Sequence, residues 1–460
     1  MISVDPIGNK QLMHLLTDIP GHLFPGIPES RAAKVFAVAS QLEWSSRLPQ
    51  AEFLKLQFRQ LHALFVHAEH YSKFWRQRLR AVGFDPVTKT FDPALLLRLP
   101  PLTRQDLQSS FDEMRAYPSP AKWGDIGTFQ TSGSTGQWVR IEKPEVNSIL
   151  FDGITFIDHL WNRRDFNQKL AVIRKEVDAN SGGPTWSRET ANLVTTGPRV
   201  QLNPVGKDIT EILDWLESEK PFYVSTWPSI ARQLAYAKLA RGDTPLAINK
   251  FLSFGEMVTD EMREVVGKAF GASINDRYST EEAGYIAIQC GHGNRYHTVP
   301  MAIVEIVDDQ YRPVAPGTVG RVLVTLPHSF VMPLIRYDVG DYAIAGTQCS
   351  CGRTWPIIER IMGRERSIVQ FPDGSRQFIP IDGLDWTDIA PISQWQFRQV
   401  ATDRIDLVVA AQRPLTDIEQ QRLSDGAFHL FRNAFTINLR QVPKIDGLPS
   451  GKRPEFVREI

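Results

Sequence analysis

The 460-residue chain lacks an excess of charge of either sign, because Lys plus Arg and Asp plus Glu both number 52. A balanced chain does not carry the bulk field of a dedicated nucleic-acid or membrane-surface binder. It also lacks any stretch near the roughly 18 uninterrupted apolar residues that span a bilayer. The first residues show no basic start followed by an apolar run, as a secretory signal would. We therefore expect a cytoplasmic protein with no nucleic-acid or membrane partner.

Cysteine is scarce, and its placement is more informative than its count. The three cysteines are too few for a disulfide scaffold in a chain of this length. They fall in two clusters, Cys290 with His297 and Cys349 with Cys351, and a disulfide within the second pair would be strained. Four soft or borderline ligands fit tetrahedral Zn²⁺ with no open position, which is typical of a structural site. His292 is a competing ligand, and three unrelated reduced cysteines are the alternative.

Length and composition indicate an ordinary multidomain globular enzyme. The chain is 42% hydrophobic and 23% charged, and its length predicts two to four folding units. Residues 151–320 alternate strand-like apolar runs with helical patterns, which favours an α/β domain with a largely buried sheet. The pattern changes after Gly363, where a hairpin turns at Pro372, Asp373 and Gly374. We predict a large N-terminal domain of mixed sheets and helices over residues 1–365 and a small α+β C-terminal domain over 366–460.

Local patterns place several elements before residue 145. Residues 51–84 have the apolar spacing of an amphipathic helix. Thr103 and Asp106 have the order of a capping box and predict a helix start. Ile126–Gln130 and the run from Trp138 to Glu142 predict two short strands around a loop of Ser, Thr and Gly.

That loop has the composition of a phosphate-binding segment. It reads Thr-Ser-Gly-Ser-Thr-Gly over residues 131–136, so its glycines permit close backbone approach and its hydroxyls can donate to phosphate oxygens. It is not a Walker loop, because no Lys-Ser/Thr pair follows and the next segment has a strand pattern. Taken alone, a loop of this composition is more often a surface turn.

Four further motifs follow in order: DRYSTEEAG from Asp276, RYDVGD from Arg336, Gly363-Arg364 and Pro449-Ser450-Gly451-Lys452. With the loop, they resemble the acyl-adenylate-forming superfamily. Within it, RYDVGD, YSTEEAGYIAIQC and the cysteine pattern are most similar to the phenylacetate-CoA ligase and CapK-like branch. The resemblance covers the chain from about Tyr71 to Lys452. It implies ATP and Mg²⁺ as cofactors and CoA as co-substrate, and some members of this branch bind zinc.

The resemblance implies a role for each matching position in the nucleotide site. The loop would hold the β- and γ-phosphates through Ser132, Gly133, Ser134, Thr135 and Gly136. Tyr278 would stack on adenine, beside Ser279, which stands where the superfamily usually has glycine. Glu282 would bind Mg²⁺ through its hard oxygen ligands, with the adjacent Glu281 as the alternative.

Three further residues complete the implied machinery. Asp341 would accept hydrogen bonds from the ribose hydroxyls, since an ionised carboxylate offers only acceptors. Arg364 would assist from the hinge side, and the domain rotation is expected at Arg366. Lys452 would bring a positive charge to the α-phosphate and the substrate carboxylate as negative charge concentrates in the transition state.

The resemblance thus implies a ligase that adenylates a small organic acid and passes the acyl group to the thiol of CoA. Transfer to an amine or to a carrier-protein phosphopantetheine stays open, as does a non-catalytic nucleotide-binding scaffold. The aromatic residues Tyr223, Trp227 and Phe254, with Gly255, would favour an aryl or arylalkyl acid if they line the pocket, and core packing is the alternative. A homodimer is common among related ligases.

Overall fold

The structure is a computed structural model. It describes residues 15–20, 24–88, 91–130, 138–175, 177, 181–242, 246–379, 381, 386–411, 413–445 and 455–460. The predicted phosphate loop, with Ser132, Gly133, Ser134, Thr135 and Gly136, and the predicted catalytic Lys452 lie outside these residues. Among the helices that are described, none has both the length and the apolarity needed to cross a membrane.

The described chain begins with six helices, alternates strands with helices from residue 126 to residue 280, and continues with a run of strands to residue 377. The α-helices are α1 (Ser30–Ser45), α2 (Gln50–Tyr71), α3 (Lys73–Ala81), α4 (Ala94–Arg98), α5 (Arg104–Ser109), α6 (Phe111–Met114), α7 (Glu145–Trp161), α8 (Ile209–Glu219), α9 (Pro228–Arg241), α10 (Asp260–Phe270), α11 (Trp386–Ile389) and α12 (Asp417–Leu430).

The strands of the first half are β1 (Ile126–Gln130), β2 (Arg140–Pro144), β3 (Leu170–Ile173), β4 (Gly182–Gly183), β5 (Arg199–Leu202), β6 (Tyr223–Thr226), β7 (Lys250–Phe254), β8 (Ser273–Thr280), β9 (Gly284–Gln289) and β10 (Tyr296–Thr298). Those of the second half are β11 (Ile303–Val307), β12 (Val319–Thr325), β13 (Tyr337–Ala345), β14 (Ile357–Arg364), β15 (Val369–Gln370), β16 (Arg376–Gln377), β17 (Ile392–Ala401), β18 (Arg404–Ala411), β19 (Thr436–Val442) and β20 (Phe456–Arg458).

The chain divides into two compact units. The first comprises Met1–Asn203, Pro221–Ser225 and Asn275–Ile361, and the second comprises Pro204–Lys220, Thr226–Ile274 and Met362–Ile460. The last segment of the second unit thus begins four residues before the boundary predicted at residue 366, which stays a prediction.

The first unit is built on a mixed sheet, as predicted from the alternating pattern. One run of neighbouring strands has the order β11-β12-β13-β14-β10-β9-β8, and another has the order β6-β3-β5-β4. In the second run β3 is parallel to both β5 and β6, whereas β12 is antiparallel to β11 and β13. Helix α2 packs its apolar face into this core through Leu61, Leu64 and Phe65, which are fully buried.

The second unit carries a four-stranded sheet of order β19-β18-β17-β20. Strands β17 and β18 are antiparallel, and β18 is parallel to β19. Helix α12 begins with a capping box between Thr416 and Glu419 and buries Leu423 and Ala427 in the apolar cluster over this sheet. The C-terminal part therefore has the predicted α+β architecture.

A largely buried group of charges joins helix α7 to strand β8. Asp158 Oδ2 lies 2.7 Å from Arg164 Nη1 and 2.6 Å from Arg277 Nη2. Burial alone would raise the pKa of Asp158, but the two guanidinium groups hold it well below its usual value. Burial lowers the pKa of the neighbouring His159 to about 4, so its ring is neutral at pH 7. Helix and strand are therefore joined by one carboxylate that two arginines share.

Replacing Asp158 by Asn should destabilise the first unit strongly. The change leaves two buried guanidinium groups without a compensating charge, which costs about 3–5 kcal/mol in the free energy of unfolding. Urea titration followed by tryptophan fluorescence measures the loss. The matched control is Asp214→Asn, which removes a carboxylate paired with Arg241 on the surface and should change stability far less. Equal losses in the two variants would contradict this account.

Candidate active site and metal centre

The hairpin between β8 and β9 presents two adjacent acids at its tip. Thr280 pairs with Gly284, which leaves Glu281, Glu282 and Ala283 as the loop. The Thr280 Oγ1 accepts a hydrogen bond from Ala283 N at 3.0 Å, and Gly284 adopts a φ of +72°, a conformation that favours glycine. The DRYSTEEAG motif is therefore a strand ending in a tight acidic turn.

Tyr278 and Asp341 meet although 63 residues separate them. The Tyr278 hydroxyl donates to Asp341 Oδ2 at 2.8 Å, and both side chains are buried. A register shift between Tyr278 and Ser279 interrupts the ladder with β9 at this point. Such irregularities re-aim side chains next to functional sites. Strand β8 thus contributes the tyrosine and strand β13 the carboxylate of one polar pair.

A turn inside β13 orients Asp341. Asp338 Oδ1 accepts a hydrogen bond from Gly340 N at 2.9 Å, and Gly340 has a φ of +75°. Asp338 Oδ2 in turn accepts a hydrogen bond from Arg321 Nη1 at 3.0 Å. The second acid of RYDVGD therefore depends on the first, which shapes the backbone just before it.

Arg336, the first residue of the same motif, has a structural role. It is 2% exposed and has a φ of +52°. Its guanidinium donates to the carbonyl of Leu99 at 2.6 Å and lies 3.0 Å from Glu305 Oε1. These bonds satisfy a buried charge and fix the entrance to β13.

Glu282 is held by two side chains that the motifs did not identify as its partners. Arg104 Nη1 lies 3.1 Å from Glu282 Oε1, and the Tyr337 hydroxyl donates to the same oxygen at 3.4 Å. Burial, followed by the charge of Glu282, raises the pKa of Tyr337, so its hydroxyl keeps its proton as a donor. Glu281 is exposed, whereas Glu282 is buried. The two acids, equivalent in the sequence, therefore have different environments.

Lys143 connects the hairpin of the phosphate-loop motif to the acidic tip. Its Nζ donates to the carbonyl of Glu281 at 2.6 Å, across 138 residues of sequence. Burial lowers the pKa of Lys143, while the charges of Glu281 and Glu282 oppose that change. Lys143 lies on β2, which is antiparallel to β1: Gln130 faces Arg140 at one end of the ladder, and Ile126 faces Pro144 at the other. In the sequence, residues 131–137 lie between these two strands. Three distant segments, β1–β2, the β8–β9 tip and β13, thus converge.

The structure brings together most of the described residues that the motifs predicted. Tyr278, Ser279, Glu282 and Asp341 lie on β8, its tip and β13. Arg364 ends β14, and its segment belongs to the second unit. Arg104 and Lys143 were missed, because each meets its partner only through a tertiary contact that leaves no local sequence pattern.

The four predicted metal ligands lie in one cluster in the first unit. The ligand atoms of Cys290, His297, Cys349 and Cys351 are all within 4.8 Å of one another. Cys290 Sγ lies 3.5 Å from Cys349 Sγ, and Cys351 Sγ lies 3.4 Å from His297 Nε2. The three cysteines are free thiols, and His292 is not a member of the group.

The donor set fits a structural zinc ion. Three sulfurs and one imidazole nitrogen match the Cys₃His type of closed tetrahedral site. Burial raises the pKa of the Cys290 thiol to about 12, so without a cation it stays protonated. A bound metal ion reverses that preference, because a coordinating thiol is deprotonated. Cys290 follows β9, His297 lies on β10, and the other two precede β14, so an ion here would tie these antiparallel strands together.

Purified protein should contain about one zinc ion per chain, and Cys351→Ser should lower the content severalfold because it removes one of the three sulfurs that would bind the ion. Mass spectrometry of the metal content, paired with a thermal unfolding curve, measures both the ion and its contribution to stability. The control is His292→Ala, which removes the nearby competing imidazole and should leave the zinc content unchanged. Metal-free wild-type protein prepared without chelators, or loss of zinc in the control, would contradict the assignment.

Comparisons with known proteins found similarities in sequence and in fold. No protein-family model matches the chain. A phenylacetate-coenzyme A ligase from Thermus thermophilus is 26% identical over 452 residues, covering 88% of this chain and 95% of that protein.

Solved structures match over a similar extent. A 2-hydroxyisobutyryl-CoA ligase, in a postadenylation state with 2-HIB-AMP, superposes with a TM-score of 0.71 at 16% identity, covering 91% of this chain and 92% of that one. An open conformation of the same ligase, in complex with 2-HIB-AMP and CoA, gives a TM-score of 0.58 at 15% identity, with 90% and 93% covered. These likenesses establish the fold.

The chain therefore has the fold of these CoA ligases, and its sequence is similar to that of a phenylacetate-coenzyme A ligase.

Proposed function

We propose that the chain is an ATP-dependent, AMP-forming ligase that adenylates a small carboxylic acid and transfers the acyl group to CoA. One observation carries the proposal: the phosphate-loop hairpin, the acidic tip and β13 are joined by the Lys143–Glu281, Tyr337–Glu282 and Tyr278–Asp341 hydrogen bonds. The relatives support it, since both are named as CoA ligases and two structures of one of them are described in complex with 2-HIB-AMP.

The nucleotide would bind where these three segments meet. Asp341 would accept hydrogen bonds from the ribose, since an ionised carboxylate offers about four acceptor sites and Tyr278 uses one of them. The Tyr278 ring would stack on adenine while its hydroxyl holds Asp341 in place. Arg364 would assist from the hinge side. The loop residues Ser132, Gly133, Ser134, Thr135 and Gly136 would surround the β- and γ-phosphates.

The buried carboxylate of Glu282 fits Mg²⁺, a hard cation that takes oxygen ligands and keeps several waters. Bound there with ATP, the ion would neutralise charge on the phosphates. Arg104 and Tyr337 would hold the orientation of Glu282 through its Oε1. Glu281 is the alternative ligand, but its exposed side chain has fewer described contacts that would fix it. A structural zinc ion in the Cys290, His297, Cys349 and Cys351 cluster completes the proposed set of cofactors.

No side-chain nucleophile is needed for the proposed reaction. The substrate carboxylate oxygen attacks the α-phosphorus of ATP, pyrophosphate leaves, and an acyl-adenylate forms. The sulfur of CoA then attacks the acyl carbon, giving a thioester and releasing AMP. The protein contributes positioning and charge stabilisation, with Lys452 stabilising the negative charge that develops in the first step.

We propose an aryl or arylalkyl acid as the substrate, for two reasons. The curated relative is named for phenylacetate. In addition, Phe151 on α7 is 40% exposed, and its ring centroid lies 4.5 Å from that of the buried Tyr285 beside the acidic tip. A Cβ atom at Gly284 would lie 3.8 Å from Phe151 Cδ2, so the ring covers the end of this hairpin. An exposed ring supported by a buried one is suited to packing against an aromatic substrate.

The test is acid-dependent exchange of labelled pyrophosphate into ATP. Wild-type protein should catalyse exchange with aryl and arylalkyl acids faster than with short aliphatic acids. Lys452→Ala should lower the exchange rate by at least about a hundredfold, because one preorganised charge in the transition state contributes that much. The same variant should retain most thioester formation from supplied acyl-adenylate. The control is Lys444→Ala, which removes a neighbouring lysine outside the motif and should leave exchange unchanged.

The second step is tested by offering the adenylate CoA, an amine or a phosphopantetheinylated carrier protein. Thioester formation with CoA is the expected result. Transfer only to the amine or the carrier would overturn the choice of acceptor and leave the adenylation step intact. No exchange with any acid, or exchange that Lys452→Ala leaves untouched, would overturn the proposed chemistry.

A further inference from the structure

A buried charge cluster in the second unit takes no part in the chemistry described so far. Arg232 on α9 is 6% exposed, and its guanidinium lies 4.3 Å from the centroid of the Trp395 ring on β17. It is ion-paired with Glu455, and Glu261 Oε2 lies 3.8 Å away. The Tyr236 hydroxyl donates to the other oxygen of Glu261 at 2.6 Å. One arginine therefore joins α9, α10, β17 and the chain just before β20.

The cluster is better explained by the position that it gives to Glu455 than by a contribution to the stability of the fold. Removing a guanidinium and two carboxylates from water opposes much of their mutual attraction, so apolar side chains of similar volume could fill this space as well. A planar guanidinium stacked on an indole ring and paired with a carboxylate fixes both distance and direction. The arrangement holds Glu455 at one defined place on α9.

Glu455 has a decisive position in the sequence, because it follows the proposed catalytic Lys452 by three residues. The carbonyl of Glu455 accepts a hydrogen bond from Phe397 N at 2.7 Å, and Phe456 pairs with Phe397 in the sheet. On the other side of the lysine, Ile445 N donates to Gln394 Oε1 at 2.9 Å. The chain is thus fastened to β17 both before and after the segment that contains Lys452.

This attachment limits where the lysine can reach. Three residues of fully extended chain span at most about 11 Å. The Cα of Lys452 is therefore confined to about that distance from the Cα of Glu455, whose side chain is paired with Arg232. A shift of Glu455 away from α9 would move the whole volume accessible to the lysine.

We propose that Arg232 is a positioning residue for Lys452, acting through its ion pair with Glu455. The inference rests on the proposed function, in which Lys452 stabilises the adenylation transition state. Arg232 contacts neither nucleotide nor acid in this account. Its contribution is to hold the anchor of the lysine-bearing segment against α9, so that the lysine is presented to the first half-reaction.

Arg232→Gln and Glu455→Gln test the proposal by separate measurement of the two half-reactions. Each should lower the kcat of acid-dependent pyrophosphate exchange by about tenfold, the cost of a modest misplacement of a transition-state charge. The KM for ATP should stay within about twofold, because no ground-state contact is removed. Thioester formation from supplied acyl-adenylate should also stay within about twofold. Arg232→Lys, which keeps the charge, should recover part of the exchange rate.

The matched control is Arg241→Gln, on the same helix. Arg241 pairs with Asp214 and Glu217 at the surface, away from the Glu455 contact, and its loss should leave both half-reactions unchanged. In the double variant Arg232→Gln/Glu455→Gln, the exchange rate should equal that of the single variants, since the two residues act as one pair. Exchange unchanged in Arg232→Gln, or losses that multiply in the double variant, would overturn the proposal.

A second readout does not depend on activity. Trypsin cleavage after Lys452, mapped by mass spectrometry, should be faster in Arg232→Gln than in wild type or Arg241→Gln, because the anchor is released. Equal cleavage rates in all three proteins would overturn the anchoring itself. If Lys452→Ala leaves exchange untouched, the proposed function fails instead, and faster cleavage in Arg232→Gln would then support anchoring alone.

Discussion

The candidate active site depends on the hydrogen bond between the Tyr278 hydroxyl and Asp341, which joins two strands that are remote in sequence. Both groups are buried, and a buried polar pair has strict geometric requirements. The backbone at Tyr278 is also fixed, because the preceding residue, Arg277, forms an ion pair with Asp158 on α7. Successive side chains of a strand point to opposite faces, so the ionic contact on one face sets the tyrosine on the other.

The metal cluster and the polar pair brace the same group of strands at different places. Cys290 directly follows β9, the strand that pairs with β8, and Cys349 and Cys351 lie between β13 and β14. A zinc ion bound there would connect β9, β10 and β14 in addition to the backbone hydrogen bonds between these strands. Strands β8 and β13, which carry Tyr278 and Asp341, are neighbours of these strands. A structural ion could thus support the site without touching a substrate.

The sequence predicted the local elements well wherever a local signal exists. Strand β1 has the predicted bounds, and α5 begins with the predicted Thr103–Asp106 capping box. The predicted single helix over residues 51–84 is instead two, because Ser72 leaves the helical conformation and its Oγ accepts a hydrogen bond from Trp75 N to start α3. The sequence around this break contains neither Gly nor Pro, the residues that usually indicate the end of a helix. The clustering of Cys290, His297, Cys349 and Cys351 was predicted because the chemistry of metal ligands is visible in residue type alone.

The sequence patterns could not predict which residues form contacts across long stretches of the chain. Arg104 meets Glu282 across 178 residues, and nothing near Thr103 indicates that contact. Tyr223, suggested as part of the pocket wall, has the environment of a core residue instead. It is 3% exposed, and its hydroxyl accepts a hydrogen bond from Asp165 N. The exposed ring beside the acidic tip belongs to Phe151. Residue type indicates which chemistry is available, whereas tertiary contacts decide which of several residues of the same type lies at the site.

The central claim is that β8 and β13 together form an adenine-nucleotide site, and calorimetric titration with AMP tests it most directly. Wild-type protein should bind AMP, and Asp341→Asn should weaken binding by about tenfold or more, because hydrogen bonds to a charged acceptor are lost. Asp308→Asn, which changes a partly exposed acid in a turn, is the control and should bind as wild type does. Failure of wild-type protein to bind AMP, or equal affinity in the Asp341 variant, would contradict the account.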